Sequence, residues 1–160
     1  MKLTLVWFSL ALASLSVAKV APPFQADLMG GGKVEMKQRL KPGRVLLLSF
    51  WASWCTPCIE ELNQVTKHMK EDAKLPVDLL TVNVDTSETT TDVKPTLKLY
   101  RFDFPVILDP KHEIFGRYQD QKTLPFSVLI GPSGNIEATF SGYHEEMFKK
   151  IREIASGKST

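Results

Sequence analysis

Val45-Leu46-Leu47-Leu48-Ser49-Phe50-Trp51 is a nearly unbroken apolar run, and after three intervening residues the chain places Cys55-Thr56-Pro57-Cys58. Such a run suits a central strand buried on both faces. Pro57 suits the first turn of a helix, where its missing N–H costs nothing. From Cys58 onward, Leu62, Val65 and Met69 recur at helical spacing, while Asn63, Lys67 and Lys70 fall on or near the opposite face. A doubly buried strand that turns directly into an amphipathic helix constrains the chain to an α/β layered architecture. The cysteines sit at that junction, and they are the only two in the chain. A helix N-terminus offers unpaired N–H groups and a positive dipole end, which stabilise a thiolate. The thiolate is the species that attacks a disulfide, and a second cysteine one turn away can resolve the adduct. As a structural staple the pair is poor, because closing a loop of two residues restricts the unfolded chain very little.

The rest of the chain alternates in the same way. Pro22 to Lys41 is mixed, with a tight turn at Gly30-Gly31-Gly32 and a short strand with an ensuing turn over Val34, Met36 and Leu40. Val77 to Val84 is a second buried strand, and Thr86 to Thr91 is a polar loop. Pro95 to Phe102 is a short helix, Phe104 to Leu108 a third strand stopped by Asp109-Pro110, and His112 to Tyr118 another short helix. Phe126 to Ile130 and Ile136 to Phe140 form an antiparallel hairpin about the turn Gly131-Pro132-Ser133-Gly134-Asn135. Glu145 to Ala155 closes the chain as an amphipathic helix with Met147, Ile151 and Ile154 or Ala155 inward. Alternating β and α units followed by a hairpin imply an α/β sandwich with a mixed sheet.

Residues 1–18 differ in kind. Lys2 precedes an uncharged stretch from Leu3 to Ala18 that ends in the small residues Ser16-Val17-Ala18. This is the pattern of a secretory signal peptide, and it is short for a spanning helix. An uncleaved anchor is the alternative reading, and a buried core helix is disfavoured by the Pro22-Pro23 break directly after it. Residues 19–160 then make one domain, a length sufficient for a sizeable core. The net charge of +2 gives no strong attraction to nucleic acid or to a membrane surface.

The stretch Phe50-Trp51-Ala52-Ser53-Trp54-Cys55-Thr56-Pro57-Cys58 resembles the signature of the TlpA/ResA-type exported thiol-disulfide oxidoreductases, which have the thioredoxin fold. Thr81 to Asp85, Phe104 to Asp109, Leu124-Pro125 and Val128 to Gly134 support the same resemblance, which runs from about Pro23 to the final helix. The resemblance implies a central mixed sheet flanked by helices. It also implies a TlpA-type strand-and-helix insertion over residues 86–119.

By this resemblance Cys55 is the nucleophile, the more exposed of the pair, and Cys58 the resolving thiol, whose place on the apolar stripe predicts burial. Thr56-Pro57 tunes the couple. Glu61 stands one helical turn after Cys58 at the edge of the stripe. Spacing alone leaves it divided between a solvated helix glutamate and a partly buried carboxylate with a raised pKa. The family carries a glutamate near its dithiol here, so Glu61 is expected to take the proton of Cys58. Cytosolic thioredoxins place an aspartate on the preceding strand, where this chain has Ser49. Trans is the ordinary state of an X–Pro bond, but the resemblance implies a cis Pro125 facing the dithiol. Leu124 would then offer backbone groups to an extended substrate segment. Phe126 departs from the small hydroxyl residue common after that proline. Trp54 is expected at the rim against which a partner packs, and Trp51 in the core.

The resemblance thus implies a dithiol reductant of disulfides in exported proteins, with apocytochromes c awaiting haem as one substrate class. It would work in the periplasm or another extracytoplasmic compartment, with electrons from a membrane partner. No nicotinamide or flavin motif is present, and no cofactor is expected beyond the Cys55–Cys58 disulfide. With no spare cysteine, a monomer is expected. A disulfide oxidase or isomerase would use the same chemistry in the other direction. Copper handling is a different class, in which two thiolates would need His112 or His144 as a further ligand. A peroxidase is a third, although nothing else in the chain activates a peroxide.

Overall fold

The computed structural model describes residues 19–157. The segment expected to be a signal peptide lies outside the described residues. β1 (Gln25–Asp27) and β2 (Lys33–Glu35) pair antiparallel as a small separate sheet, and α1 (Met36–Arg39) comes next. β3 (Val45–Trp51) leads into α2 (Thr56–Glu71), then β4 (Val77–Asn83). A 3-10 turn at Thr90–Asp92 leads into α3 (Val93–Tyr100), β5 (Val106–Leu108) and α4 (Phe115–Tyr118). The hairpin β6 (Phe126–Ile130) and β7 (Ile136–Phe140) precedes α5 (Glu146–Ala155).

The main sheet has the order β5-β4-β3-β6-β7. β3 pairs parallel with β4 and antiparallel with β6, so the sheet is mixed. All seven residues of β3 are buried, as a strand covered on both faces requires. Its alternation feeds two cores. Leu46, Leu48 and Phe50 pack on one side with Phe115 and Tyr118. Val45 and Leu47 pack on the other with Val65, Met147, Phe148 and Ile151. Central β3 thus places its last residue, Trp51, at the middle of one end of the sheet, from which the chain turns into α2.

The expected elements appear, several with shifted limits, and some of those shifts have a local cause. β5 starts at Val106 rather than Phe104, because Pro105 lacks an N–H and enters only through its carbonyl, which accepts from Thr81 N at 3.1 Å. α3 begins earlier than expected, and Arg101 ends it in the left-handed region at φ 55. The helix expected over His112 to Tyr118 is regular only from Phe115. Ahead of it, the buried Asp109 carboxylate accepts the backbone N–H groups of Glu113, Ile114 and Phe115 at 2.8, 3.0 and 2.8 Å. β1 is an addition to the expected elements, and Met36 opens a helix rather than ending a strand. The turn between β1 and β2 takes positive φ at Gly31 and Gly32 (95 and 86), which glycine adopts without strain.

Candidate active site

The chain leaves β3 through a tight turn, with the Cys55 N–H donating to the Ala52 carbonyl at 3.1 Å. Asp85, just past the end of β4, holds this turn. Its carboxylate accepts the Ser53 backbone N–H at 2.7 Å, the Ser53 hydroxyl at 2.6 Å and the Asn83 amide at 2.7 Å. Asp85 is 1% exposed, so three donors compensate a carboxylate withdrawn from water. Sequence reasoning places Asp85 in a family-like stretch but assigns it no role. The one signal that could have found it is an acidic residue directly after a buried strand.

Cys55 caps α2, and its sulfur accepts the backbone N–H of Cys58 at 3.3 Å. The helix end thus presents a donor to the position where a thiolate would form. Cys55 and Cys58 are joined in a disulfide. Cys55 is the more exposed of the two, at 6% against 1%, and both are buried. Thr56 and Pro57, the residues between them, are exposed. Trp54 is 63% exposed beside the pair, whereas Trp51 is fully buried.

The Leu124–Pro125 peptide bond is cis. Phe50 pairs with Phe126 across the sheet, so Pro125 lies at the same sheet end as the turn into Cys55. Leu124 and Pro125 are half-buried. The side chain of Phe126 turns away into the core, 5.9 Å from the Phe50 ring and 6.4 Å from the Phe115 ring. Its departure from a small hydroxyl residue therefore alters core packing.

Glu61 is buried, at 1% exposure, more deeply than the partly buried position expected. Burial holds its pKa above the ordinary glutamate value; hydrogen bonds from Ser127 and Ser49 and the charge of His144 oppose that shift. Ser127 and Ser49 both donate to Oε1, Ser49 at 3.4 Å and Ser127 at closer range. Oε2 has no hydrogen-bond partner among the described residues. Ser127 is a site residue that sequence reasoning misses. Nothing in a lone serine within an apolar strand announces a partner 66 positions away.

The histidines do not gather at the dithiol as a ligand set. His112 Nε2 lies 2.9 Å from the Val84 carbonyl oxygen, and His144 is exposed on the segment before α5. Among the described residues, no group of three or more His, Cys, Asp or Glu side chains is arranged to hold a metal ion.

Residues 17–139 match the AhpC/TSA family. The thiol-disulfide oxidoreductase ResA of Bacillus subtilis (strain 168) is 32% identical over 129 residues, which span 81% of this chain and 69% of that protein. The crystal structure of StoA from Bacillus subtilis superposes with a TM-score of 0.66 at 30% identity, covering 82% of this chain and 97% of that one. A thiol-disulfide oxidoreductase from Bacteroides fragilis superposes with a TM-score of 0.71 at 27% identity, covering 84% and 98%. The fold, the capped cysteine pair and these likenesses agree: the chain belongs to the AhpC/TSA family, and is a thioredoxin-fold thiol-disulfide oxidoreductase related to ResA.

Proposed function

We propose that this protein reduces disulfides in exported proteins outside the cytoplasm, with apocytochromes c before haem attachment as one substrate class. The observation that carries this reading is the buried Glu61 carboxylate one helical turn beyond Cys58, with one oxygen lacking a hydrogen-bond partner among the described residues. A base at that place serves the second half of a reduction. In the first half, the Cys55 thiolate attacks one sulfur of a partner disulfide. A Cys55–partner mixed disulfide forms, and the other partner sulfur leaves as a thiolate. In the second half, Cys58 gives its proton to Glu61 and attacks Cys55 Sγ. The Cys55–Cys58 disulfide forms, and the second partner thiolate leaves. Two electrons pass to the partner, whose thiolates take up protons. Cys55, Cys58 and Glu61 are catalytic in this scheme. Leu124 and cis Pro125 dock the extended partner segment, Trp54 forms the rim, and Thr56-Pro57 sets the potential of the couple.

The pattern of residues 1–18 supports export, through a cleaved signal or as an anchor. Among the described residues no helix is long and apolar enough to cross a membrane. The dithiol would be regenerated by a membrane electron donor, with no cofactor besides the disulfide itself. Residues 86–119, with α3, β5 and α4, are the part that corresponds to a TlpA-type insertion.

The deciding experiment equilibrates the Cys55–Cys58 couple against dithiothreitol and glutathione buffers. A reduction potential at or below about −250 mV supports a reductant. A potential near about −120 mV makes the protein an oxidant and reverses the proposed direction.

A further inference from the structure

We propose that Ser127 is a positioning residue for proton transfer: its hydroxyl, with that of Ser49, holds Glu61 Oε1 so that Oε2 alone exchanges the proton of Cys58. This rests on the reading of Glu61 as the base for Cys58.

Ser49 and Ser127 are directly opposed across β3 and β6. Each is the one hydroxyl residue in its strand, VLLLSFW and FSVLI, and both are buried. Directly opposed residues project to the same face of a sheet with their Cβ atoms close together. Both hydroxyls therefore reach one carboxylate oxygen from adjacent strands, and both donate to Oε1. Buried hydroxyls in an apolar strand are costly without a partner. Here the partner is the one carboxylate that α2 buries.

The arrangement divides the carboxylate into two unlike oxygens. Donors at Oε1 stabilise the ionised form, against the burial that disfavours it. They also fit, more weakly, the carbonyl-like oxygen of the neutral acid. A proton can then arrive and leave at Oε2 with no rearrangement at Oε1. Besides Cys58 on α2, the charge of His144, from the segment before α5, bears on this site and also favours the ionised form. Ser127 lies two residues beyond cis Pro125. The strand that would receive a partner at Leu124 therefore also carries the closer hydroxyl on the base.

The step assigned to this arrangement is a proton transfer from Cys58 Sγ to Glu61 Oε2, which leaves the thiolate that attacks Cys55 Sγ. The probe is glutathione disulfide. The Cys55–glutathione adduct formed from reduced protein is tracked by acid quench and mass measurement, and its decay is recorded across pH. In S127A the half-maximal rate is expected at higher pH than in wild type, with decay at neutral pH slowed about tenfold, as loss of a hydrogen bond to a charged group implies. S127T, which keeps the hydroxyl, is expected to behave as wild type. Adding S127A to E61Q is expected to change nothing further. An S127A profile that superimposes on wild type, while E61Q displaces it, overturns the role of Ser127 and leaves Glu61 as base. A slowing that persists in the E61Q background shows that Ser127 acts by another route and also overturns it. An E61Q profile identical to wild type instead removes the base itself, and this inference with it. Should S127A not fold, S49A decides: a smaller displacement in the same direction supports the shared oxygen, and no displacement overturns it.

Discussion

Asp85 Oδ2 accepts the Ser53 backbone N–H at 2.7 Å, so the residue just past β4 holds the turn two places before Cys55. The relationship joins two strands that are neighbours in the sheet. It fixes the turn from which α2 starts, and with it the place of the sulfur that caps the helix. D85A removes the acceptor for two Ser53 donors and for the Asn83 amide. Leaving such donors unmet in a buried place costs on the order of 2–3 kcal/mol. D85A is therefore expected to lower the urea midpoint by that equivalent, and D85N by less, because an amide keeps one acceptor. A D85A midpoint equal to wild type would show that the turn is held by its own backbone bonds.

The buried Glu61 carries a sign that stability measurements can read. Its folded pKa lies above the ordinary glutamate value, because burial disfavours the charge. Between the unfolded and folded values the folded state binds more protons. Its contribution to stability is thus complete below the ordinary glutamate pKa and is lost as pH rises through the raised value. The disulfide-bonded protein should lose urea resistance over that window, and E61Q should lose less, because glutamine does not titrate. Equal slopes in the two proteins would contradict the raised value.

The two cysteines are expected to fail in different ways. C58S keeps the attacking sulfur of Cys55 but cannot resolve the adduct, so it should accumulate mixed disulfides with partner proteins, visible on non-reducing gels. C55S should trap none, since Cys58 is 1% exposed and out of a partner's reach. Equal trapping by the two variants would mean that Cys58 also attacks partners. The partners captured by C58S also report the substrate class.

Legibility in the sequence depends on how local each signal is. β3 and the start of α2 can be read because an apolar run, a proline and a helical stripe all lie within one window. The β6–β7 hairpin matches residue for residue, since Gly131 to Asn135 carries its turn chemistry in sequence. β1 cannot be read that way. Gln25-Ala26-Asp27 is only three residues long, and pairing with Lys33–Glu35 decides its conformation. The same limit hides Ser127 and Asp85. A serine in an apolar strand and an aspartate after one look ordinary until the fold sets a glutamate against the first and a turn N–H against the second. The Cys55–Cys58 pair can be read in its own window, at a strand-to-helix junction, whereas the burial of Glu61 and the cis Leu124–Pro125 bond are expected only through a family resemblance, which supplies the long-range information that periodicity lacks.

Substitution of Trp54 tests whether docking can be separated from chemistry. Its side chain is 63% exposed, while Trp51 three residues earlier is fully buried, so the two tryptophans answer to different demands. An exposed aromatic beside a reactive sulfur is the kind of side chain that anchors a partner. It contributes nothing to a small disulfide that offers no surface to pack. W54A is therefore expected to slow the reduction of a folded disulfide protein about tenfold, in keeping with an anchor residue of modest strength. Its rate with glutathione disulfide should stay close to wild type, and its urea midpoint should barely move, since little of the ring packs inside. Equal slowing with both substrates would place Trp54 in the thiol chemistry itself, through its place in the turn into Cys55. A lower urea midpoint would make it a structural residue of that turn.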